Sequence, residues 1–481
     1  MNQTIYDLFT QVVKENKDRI AIIEEHRQLT FEQLLELTDQ IANTFPKDVQ
    51  TVGIVMDHRA EMIATMLATL KCGARYVPAE PTFPTGRIQY MMEEADVYFI
   101  VTEKAYTSKL DGFPTCFVDG QYKQSQNTQA QPSSPAYVLY TSGTTGKPKG
   151  AMLTHGNYFT AIHNECDVLT LKQDDVYLGI YPMAHVGLSW SIAALRSAAY
   201  YILMEQFNID EYLKLCQKEK VTVLTGMPPV IHSLTTMDRR EELKTVREIV
   251  SGGGPLHKKI WKDFHETYAI PIINAYGLSE TIVIGTGTVI RPEDYREADR
   301  FESVGHPVCF SEVKIVDEDD SSKILPQYEQ GEIALRGPAV AKGYWGNEEK
   351  TKASFLDDGW FLTGDIGYLD EDNRLFITDR KKDMIVMSGW KIYPTEVEEV
   401  LIKYPEVKEI AIFSINDCHR GEIPVAAVVW ENEADENGLI AFARENLSRY
   451  KVPRKIFPLD ELPRVNGWKL LRRELRELFK E

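Results

Sequence analysis

A chain of 481 residues exceeds what one hydrophobic core organises, so two or three domains are expected, and 43% hydrophobic with 26% charged residues excludes a disordered chain. The formal charge of −18, from 54 basic and 72 acidic residues, excludes a general binder of nucleic acid or anionic membrane. An anionic ligand must therefore meet positive charge gathered locally. Cys72, Cys116, Cys166, Cys216, Cys309 and Cys418 are scattered without a CxxC pair or clustered histidines, which argues against a disulfide framework or zinc site and for a reducing cytoplasm. No signal peptide is expected from MNQTIYDLFTQVVKENKDRI, and no membrane span from a sequence without a run of about 18 apolar residues.

In chain order, the pattern predicts helices over 31–45, 60–70 and 87–95 and strands over 51–56 and 97–102, an alternation that suggests βαβ units on a mostly parallel sheet. The polar stretch 121–134, QYKQSQNTQAQPSS, reads as an exposed linker into a strand at 136–140. The same rhythm then resumes, with strands at 175–180, 221–225, 248–251 and 270–274 and a helix over 209–219. Past residue 302 short strands at 312–316 and 331–336 and an acidic hairpin tip at 369–373 predict a β-rich subdomain. TDRKKD at 378–383 marks a boundary, after which Thr395 and Glu398 fit a capping box. Strands at 409–414 and 424–430 and helices near 439–447 and 470–479 complete an α+β tail.

The stretch with the densest chemistry is 140–150, YTSGTTGKPKG. Glycines let the backbone turn its N–H groups towards an anion, hydroxyls donate to phosphate oxygens and lysines supply compact charge. It is not a Walker A loop, because only two residues separate Gly143 from Gly146 and Pro148 follows Lys147. A solvated Gly/Thr turn has the same composition. In NAYGLSET, 274–281, an aromatic suited to stacking on a purine precedes a carboxylate suited to Mg²⁺, although a polar turn reads the same way. Asp365 offers acceptors to ribose hydroxyls and Arg380 a fork of donors, while a turn Asp and a solvated basic run are the everyday alternatives. His185 either lines a pocket or packs structurally. Near the C-terminus, 444–481 carry 11 Lys/Arg against 6 Asp/Glu, and Lys469 sits in a Gly-containing loop before the last helix.

Together, in this order and spacing, these stretches resemble the adenylate-forming family of acyl-CoA synthetases, peptide-synthetase adenylation domains and luciferases. The resemblance runs through GARYVPAEPTFPTGRIQYMMEEA, YTSGTTGKPKG, AYGLSET, GEIALRGP, GWFLTGD and TDRKKDMIVMSGWKIYPTEVEEVL to Lys469. It implies an α/β fold: a large N-terminal domain, 1–380, of two βαβαβ-type subdomains plus a β-rich subdomain, and a small, mobile α+β C-terminal domain, 381–481, carrying the catalytic lysine. It also implies two half-reactions. A carboxylate attacks the α-phosphate of MgATP to give an acyl-adenylate and pyrophosphate, and a thiol then displaces AMP. Thr141, Ser142, Gly143, Thr144, Thr145, Gly146 and Lys147 would hold the β- and γ-phosphates, and Tyr276 would stack on adenine beside Gly252 and Gly277. Asp365 and Arg380 would hold the ribose, Glu280 would bind Mg²⁺, and Lys469, with Glu280 and Thr141, would serve the first step. Lys382 matches the hinge, and Ser388, Gly389, Trp390 and Lys391 would border the pantetheine and phosphates of CoA.

Two departures stand out. The glycine usually adjacent to the last lysine is one residue early, Gly467-Trp468-Lys469, yet Pro463, Arg464 and Arg472 keep their offsets. After His185 stands Val186 where amino-acid-activating relatives carry an acidic residue, which disfavours an α-amino acid substrate. His185, Val186, Gly253, Gly254 and Thr281 belong to stretches that are apolar or small, so an uncharged, apolar acyl group, fatty or related, is expected, with a place in fatty acid metabolism. The acceptor is read as CoA, with a free-standing carrier protein as the alternative, because 73–95 resembles carrier-dependent enzymes whereas GWKIYPTEVEEVL resembles CoA ligases. The chain is expected to act as a monomer or homodimer. A non-catalytic nucleotide-binding protein keeping this fold is disfavoured by Glu280 and Lys469.

Overall fold

The computed structural model describes residues 3–118, 133–141, 148–254, 256, 258–290, 303–417, 419–465 and 469–480. Most of the predicted linker, and Ser142 to Lys147 of the glycine loop, lie outside the described residues. The chain is a mixed α/β protein that packs as two compact units, Met1–Val313 with Ala334–Leu362, and Lys314–Ile333 with Thr363–Glu481.

Two sheets organise the first unit. One has six strands in the order Thr115–Phe117, Phe99–Thr102, Thr51–Val55, Arg75–Ala79, Pro135–Thr141 and Lys149–Thr154, all parallel except the last. The other has nine, and its central strands Ile272–Leu278, Glu248–Gly252, Val223–Thr225, Val176–Gly179, Tyr200–Leu203 and Ile20–Ile23 run parallel. These are the two expected α/β halves. The N-terminal strand Ile20–Ile23, however, joins the nine-stranded sheet beside Tyr200–Leu203, a partner 180 residues away in sequence.

Helix starts follow from local chemistry. Thr4, Thr30 and Thr154 each cap the helices Ile5–Asn16, Phe31–Ala42 and His155–Val168 with reciprocal bonds from Asp7, Gln33 and Asn157. Helix Ala60–Lys71 is buried from Ala60 to Leu70, as expected of a helix apolar on nearly every side. One apolar cluster joins Val52, Ile54 and Leu139 of one sheet to Tyr177, Val223 and Val250 of the other through these helices. Truncating Leu67 there to alanine is expected to cost about 2–5 kcal/mol.

In the second unit, the hairpin of Val407–Asp417 and Gly421–Trp430 is extended by Ile385–Met387, Trp390–Ile392 and Ile456–Pro458 into an α+β body with helices Pro394–Leu401, Glu436–Asn446 and Arg472–Leu478. The expected β-rich subdomain is a four-stranded sheet in the order Glu312–Val316, Gly331–Arg336, Phe361–Leu369 and Leu375–Arg380. Most of its residues pack with the second unit, so compactness divides the chain upstream of residue 380. One local expectation fails. Helix Pro394–Leu401 starts at Tyr393 without a side-chain cap, because Pro394 at the first position presets φ and lacks an N–H. The Thr395 N–H instead donates to Asp379 at 2.9 Å, and Glu398 accepts from the Ile412 N–H at 2.6 Å and Arg472 at 2.7 Å. The last helix begins at Arg472, two residues after the expected start, because Lys469–Leu470 pairs with Arg464–Val465 as a short strand.

Candidate active site

In open parallel sheets, ligands gather at the carboxyl ends of strands, and the predicted residues of the first unit cluster there. Pro135–Thr141 runs into the glycine loop, and the antiparallel pairing of Thr141 with Lys149 closes its base, so the loop joins two neighbouring strands. Beside it, Ala341 donates its N–H to the Glu280 carbonyl at 2.8 Å, and Trp345 donates to the Gly150 carbonyl at 2.8 Å. The segment from Ala341 to Trp345 thus ties the loop's base to the Ser279–Thr281 turn.

That arrangement buries Glu280, which the polar-turn alternative leaves in water: it is 7% exposed and accepts a 2.9 Å bond from the Tyr344 hydroxyl. Burial, then the Glu280 charge, pushes the Tyr344 hydroxyl well above its ordinary pKa. The Lys149 ammonium stands 4.8 Å over the Tyr344 ring. Burial and the nearby Lys350 lower the Lys149 pKa, against the pull of Glu280. A single buried carboxylate beside the base of the glycine loop fits Mg²⁺, which takes one or two carboxylates and completes its shell with phosphate and water oxygens. Among the described residues no cluster of three or more His, Cys, Asp or Glu forms a metal cage.

Tyr276 is buried on strand Ile272–Leu278. Gly277 has its own packing reason, since a β-carbon there would fall 1.6 Å from the Val283 carbonyl oxygen. The Thr281 hydroxyl is committed to its own turn, accepting from the Leu278 N–H at 3.1 Å. Strand Glu248–Gly252 ends at Gly252, and the Tyr181 hydroxyl lies 3.6 Å from where a Gly252 β-carbon would stand. Tyr181 is stacked on Trp190, centroids 6.3 Å apart, and both are buried. His185 sits in the turn Met183–Gly187 with φ −119° and ψ −111°, its ring edge-on to Phe83 at 6.2 Å. Of Val186 only the backbone is described.

The second unit holds the remaining predicted residues. Asp365 and Arg380 face each other across the hairpin, with Nε 3.0 Å from Oδ1. Lys382 is exposed on the turn after Arg380. Ser388 and Gly389, with φ of 50° and 85°, form the two-residue link between Ile385–Met387 and Trp390–Ile392, the geometry of a type I′ hairpin. Trp390 is 58% exposed and stacks on Tyr450 with centroids 4.8 Å apart. Arg444, Arg449 and Arg454 line a cavity near Tyr450 with Ile440, Val452 and Pro453. Burial, then Arg420, Arg449 and Arg444, lowers the Arg454 pKa, the mark of a local cationic field. Lys391 is paired with Glu318 at 3.2 Å. Lys469 lies in the short strand Lys469–Leu470, and its side chain is outside the described residues, as are Asn466, Gly467 and Trp468. Tyr344, Tyr181 and Glu80 were not singled out in sequence, and Lys149 only as one of the two lysines of 140–150; the run of aromatics and glycines around Tyr344, AKGYWGN, carries the one local signal.

The chain matches the model of the AMP-binding enzyme family over residues 9–345 and that of the AMP-binding enzyme C-terminal domain over 396–467. It is 33% identical over 473 residues to a 2-succinylbenzoate–CoA ligase of Bacillus cereus, covering 96% of both chains. Among solved structures it is similar to o-succinylbenzoate coenzyme A synthetase (MenE) from Bacillus subtilis in complex with ATP and magnesium ion, at TM-score 0.88 and 30% identity, over 99% of this chain and 100% of that one. It is also similar to ATP-bound MatB from Rhodopseudomonas palustris, at TM-score 0.91 and 26% identity, over 100% and 99%. The chain therefore belongs to the AMP-binding enzyme family, the adenylate-forming enzymes, with a large N-terminal and a smaller C-terminal domain. It is an AMP-forming acid–CoA ligase, using ATP, Mg²⁺ and CoA. Among the described residues, no helix is long and apolar enough to cross a membrane.

Proposed function

We propose that this ligase takes an aromatic carboxylic acid of the chemical class of 2-succinylbenzoate, in place of the fatty acid expected from the small and apolar pocket stretches. The observation that carries the reading is the buried, stacked Tyr181–Trp190 pair beside Gly252, a flat aromatic wall at a strand's carboxyl end. The names of the relatives support it, since their acid is aromatic.

In this proposal residues 141–147 hold the β- and γ-phosphates with Lys149 adding charge, Tyr276 stacks on adenine, and Asp365 with Arg380 holds the ribose. Glu280, oriented by the Tyr344 hydroxyl, would hold Mg²⁺, which offsets charge on the phosphates. Lys469 donates to the oxygens that gain charge as the carboxylate attacks the α-phosphate. The C-terminal domain, divided from the rest at 380/381, turns about Lys382 to present Ser388–Gly389 and Trp390 for thioester formation. The cationic patch of Arg420, Arg444, Arg449 and Arg454 with the Trp390–Tyr450 stack suits the phosphates and adenine of CoA.

The test is pyrophosphate release with ATP and Mg²⁺ over 2-succinylbenzoate, simple aryl acids and straight-chain fatty acids, with CoA and a carrier protein offered separately. Release with aryl acids and a CoA thioester as product is expected. Turnover confined to straight-chain acids overturns the substrate reading, and a thioester formed only on the carrier overturns the acceptor.

A further inference from the structure

One buried charged pair in the first unit has no part in the chemistry above. Glu80, immediately after strand Arg75–Ala79, is 8% exposed, and its carboxylate lies 3.1 Å and 3.3 Å from Nε2 of His58. His58 stands between strand Thr51–Val55 and helix Ala60–Lys71, so both partners belong to the six-stranded sheet and its connections. What they touch belongs elsewhere. Glu80 Oε1 accepts from the Ala184 N–H at 2.9 Å, and His58 Nε2 lies 3.3 Å from the Met183 nitrogen. Met183 and Ala184 open the turn Met183–Gly187, which follows strand Val176–Gly179 of the nine-stranded sheet and carries His185.

Burial works against both charges, yet for each the opposite partner prevails: His58 is raised by its bond to Glu80, and Glu80 is lowered by its bond to His58. Each partner thus favours the charged form of the other, and such a pair persists in the interior only when hydrogen bonds satisfy the remaining lone pairs and protons. The Ala184 N–H supplies one such bond and the Met204 carbonyl another. The turn needs that anchor. His185 departs from helical φ and ψ inside a single π-turn, a conformation that holds only where its surroundings determine it.

We infer that Glu80 and His58 are positioning residues for the acyl site: a buried clasp from one sheet that fixes the turn Met183–Gly187 of the other, and with it the direction of the His185 ring. This rests on the reading above that places His185 beside the acid. Among the described residues the bonds of Glu80 go to His58 and Ala184 and not to Glu280, so its removal is expected to loosen recognition of the acid and leave ATP binding in place.

Two readouts test it. In hydrogen–deuterium exchange of the full chain, Glu80→Ala is expected to speed exchange of the peptide covering residues 182–187 at least about tenfold while the central strands stay protected. In acid-dependent pyrophosphate release, the same variant is expected to raise KM for the acid about tenfold and keep KM for ATP within about twofold. Glu80→Gln, which keeps an acceptor for the Ala184 N–H, lies between it and the wild type in both. His58→Gln, which keeps a donor towards Glu80, serves as a milder second variant should Glu80→Ala fail to fold. Unchanged exchange in 182–187, or exchange accelerated evenly through the unit, overturns the inference, as does an equal rise in KM for acid and ATP. A wild-type enzyme that turns over no aryl acid counts against the proposed substrate instead, and the exchange result stands by itself.

Discussion

In the first unit the buried carboxylates near the candidate site have short partner sets, Glu80 with His58 and Glu280 with Tyr344, while Glu61 sits in a longer run, Glu24–Arg27–Glu61–Arg59–Glu103. The second unit also buries a pair, Arg374 with Asp370, but adds a chain from Asp383 through Arg472 to Glu398 with Arg476 attached, and an arginine field around the exposed Arg454. In the function proposed above, the buried carboxylates of the first unit hold phosphate and acid in place, and the cationic second unit supplies Lys469 and the face for the thiol donor.

The sharpest way to break that comparison is Lys469→Ala. ATP/pyrophosphate exchange is expected to fall about 10³-fold while ATP binding, measured by equilibrium dialysis, changes little. Loss of both together would mean that the lysine serves binding. On the fixed side, Glu280→Gln is expected to reduce exchange about 10²-fold, and Tyr344→Phe about tenfold with a raised Mg²⁺ requirement, followed in a magnesium titration. Lys382→Ala is expected to slow thioester formation about tenfold while single-turnover adenylation stays near wild type, and equal slowing of both steps would sink the hinge assignment.

The smallest effects separate the units by pH, and with opposite signs. Burial lowers the His155 pKa to about 4, and neutral Nδ1 accepts the Ile5 N–H at 3.3 Å. The unfolded chain takes up that proton first. The stabilisation is therefore present above about pH 6.5 and lost as pH falls towards about 4, with up to about 2–3 kcal/mol at stake. In the second unit burial raises the Asp379 pKa to about 6, so its contribution is present below about pH 4 and lost as pH rises through about 6. Melting curves between pH 4 and 7 are expected to become flatter for His155→Gln in the first unit's transition and for Asp379→Asn in the second's. Parallel changes in both transitions would mean that the units do not melt independently.

Much of this architecture was legible in the sequence because βα alternation has a local cause. Strands such as Gly331–Arg336 and Glu312–Val316 were placed to the residue, since their apolar runs end in turn residues. Pairing was not legible, because nothing within Ile20–Ile23 specifies a neighbour at Tyr200–Leu203. The strand Lys149–Thr154 was not legible either, because its start lies inside the Gly, Pro and Lys residues of the loop, whose composition reads as a turn, and its partner is fixed only by pairing with Pro135–Thr141. The capping box at Thr395 was misread because Pro394 already supplies the helix start. Tyr344 and the Glu80–His58 pair escaped for a different reason. Their meaning lies in contacts across 64 and 104 residues of sequence, to Glu280 and Ala184, which no local pattern encodes.

The exposed stack of Trp390 on Tyr450 also makes the chain its own optical probe. Of seven tryptophans, Trp190 and Trp261 are fully buried while Trp390 is 58% exposed. A soluble quencher will reach Trp390 well before those two, and a ligand that settles on that face will shield it. The fluorescence remaining at saturating quencher, compared between the wild type and Trp390→Phe, therefore reads occupancy of the face proposed for the thiol donor, with no label attached.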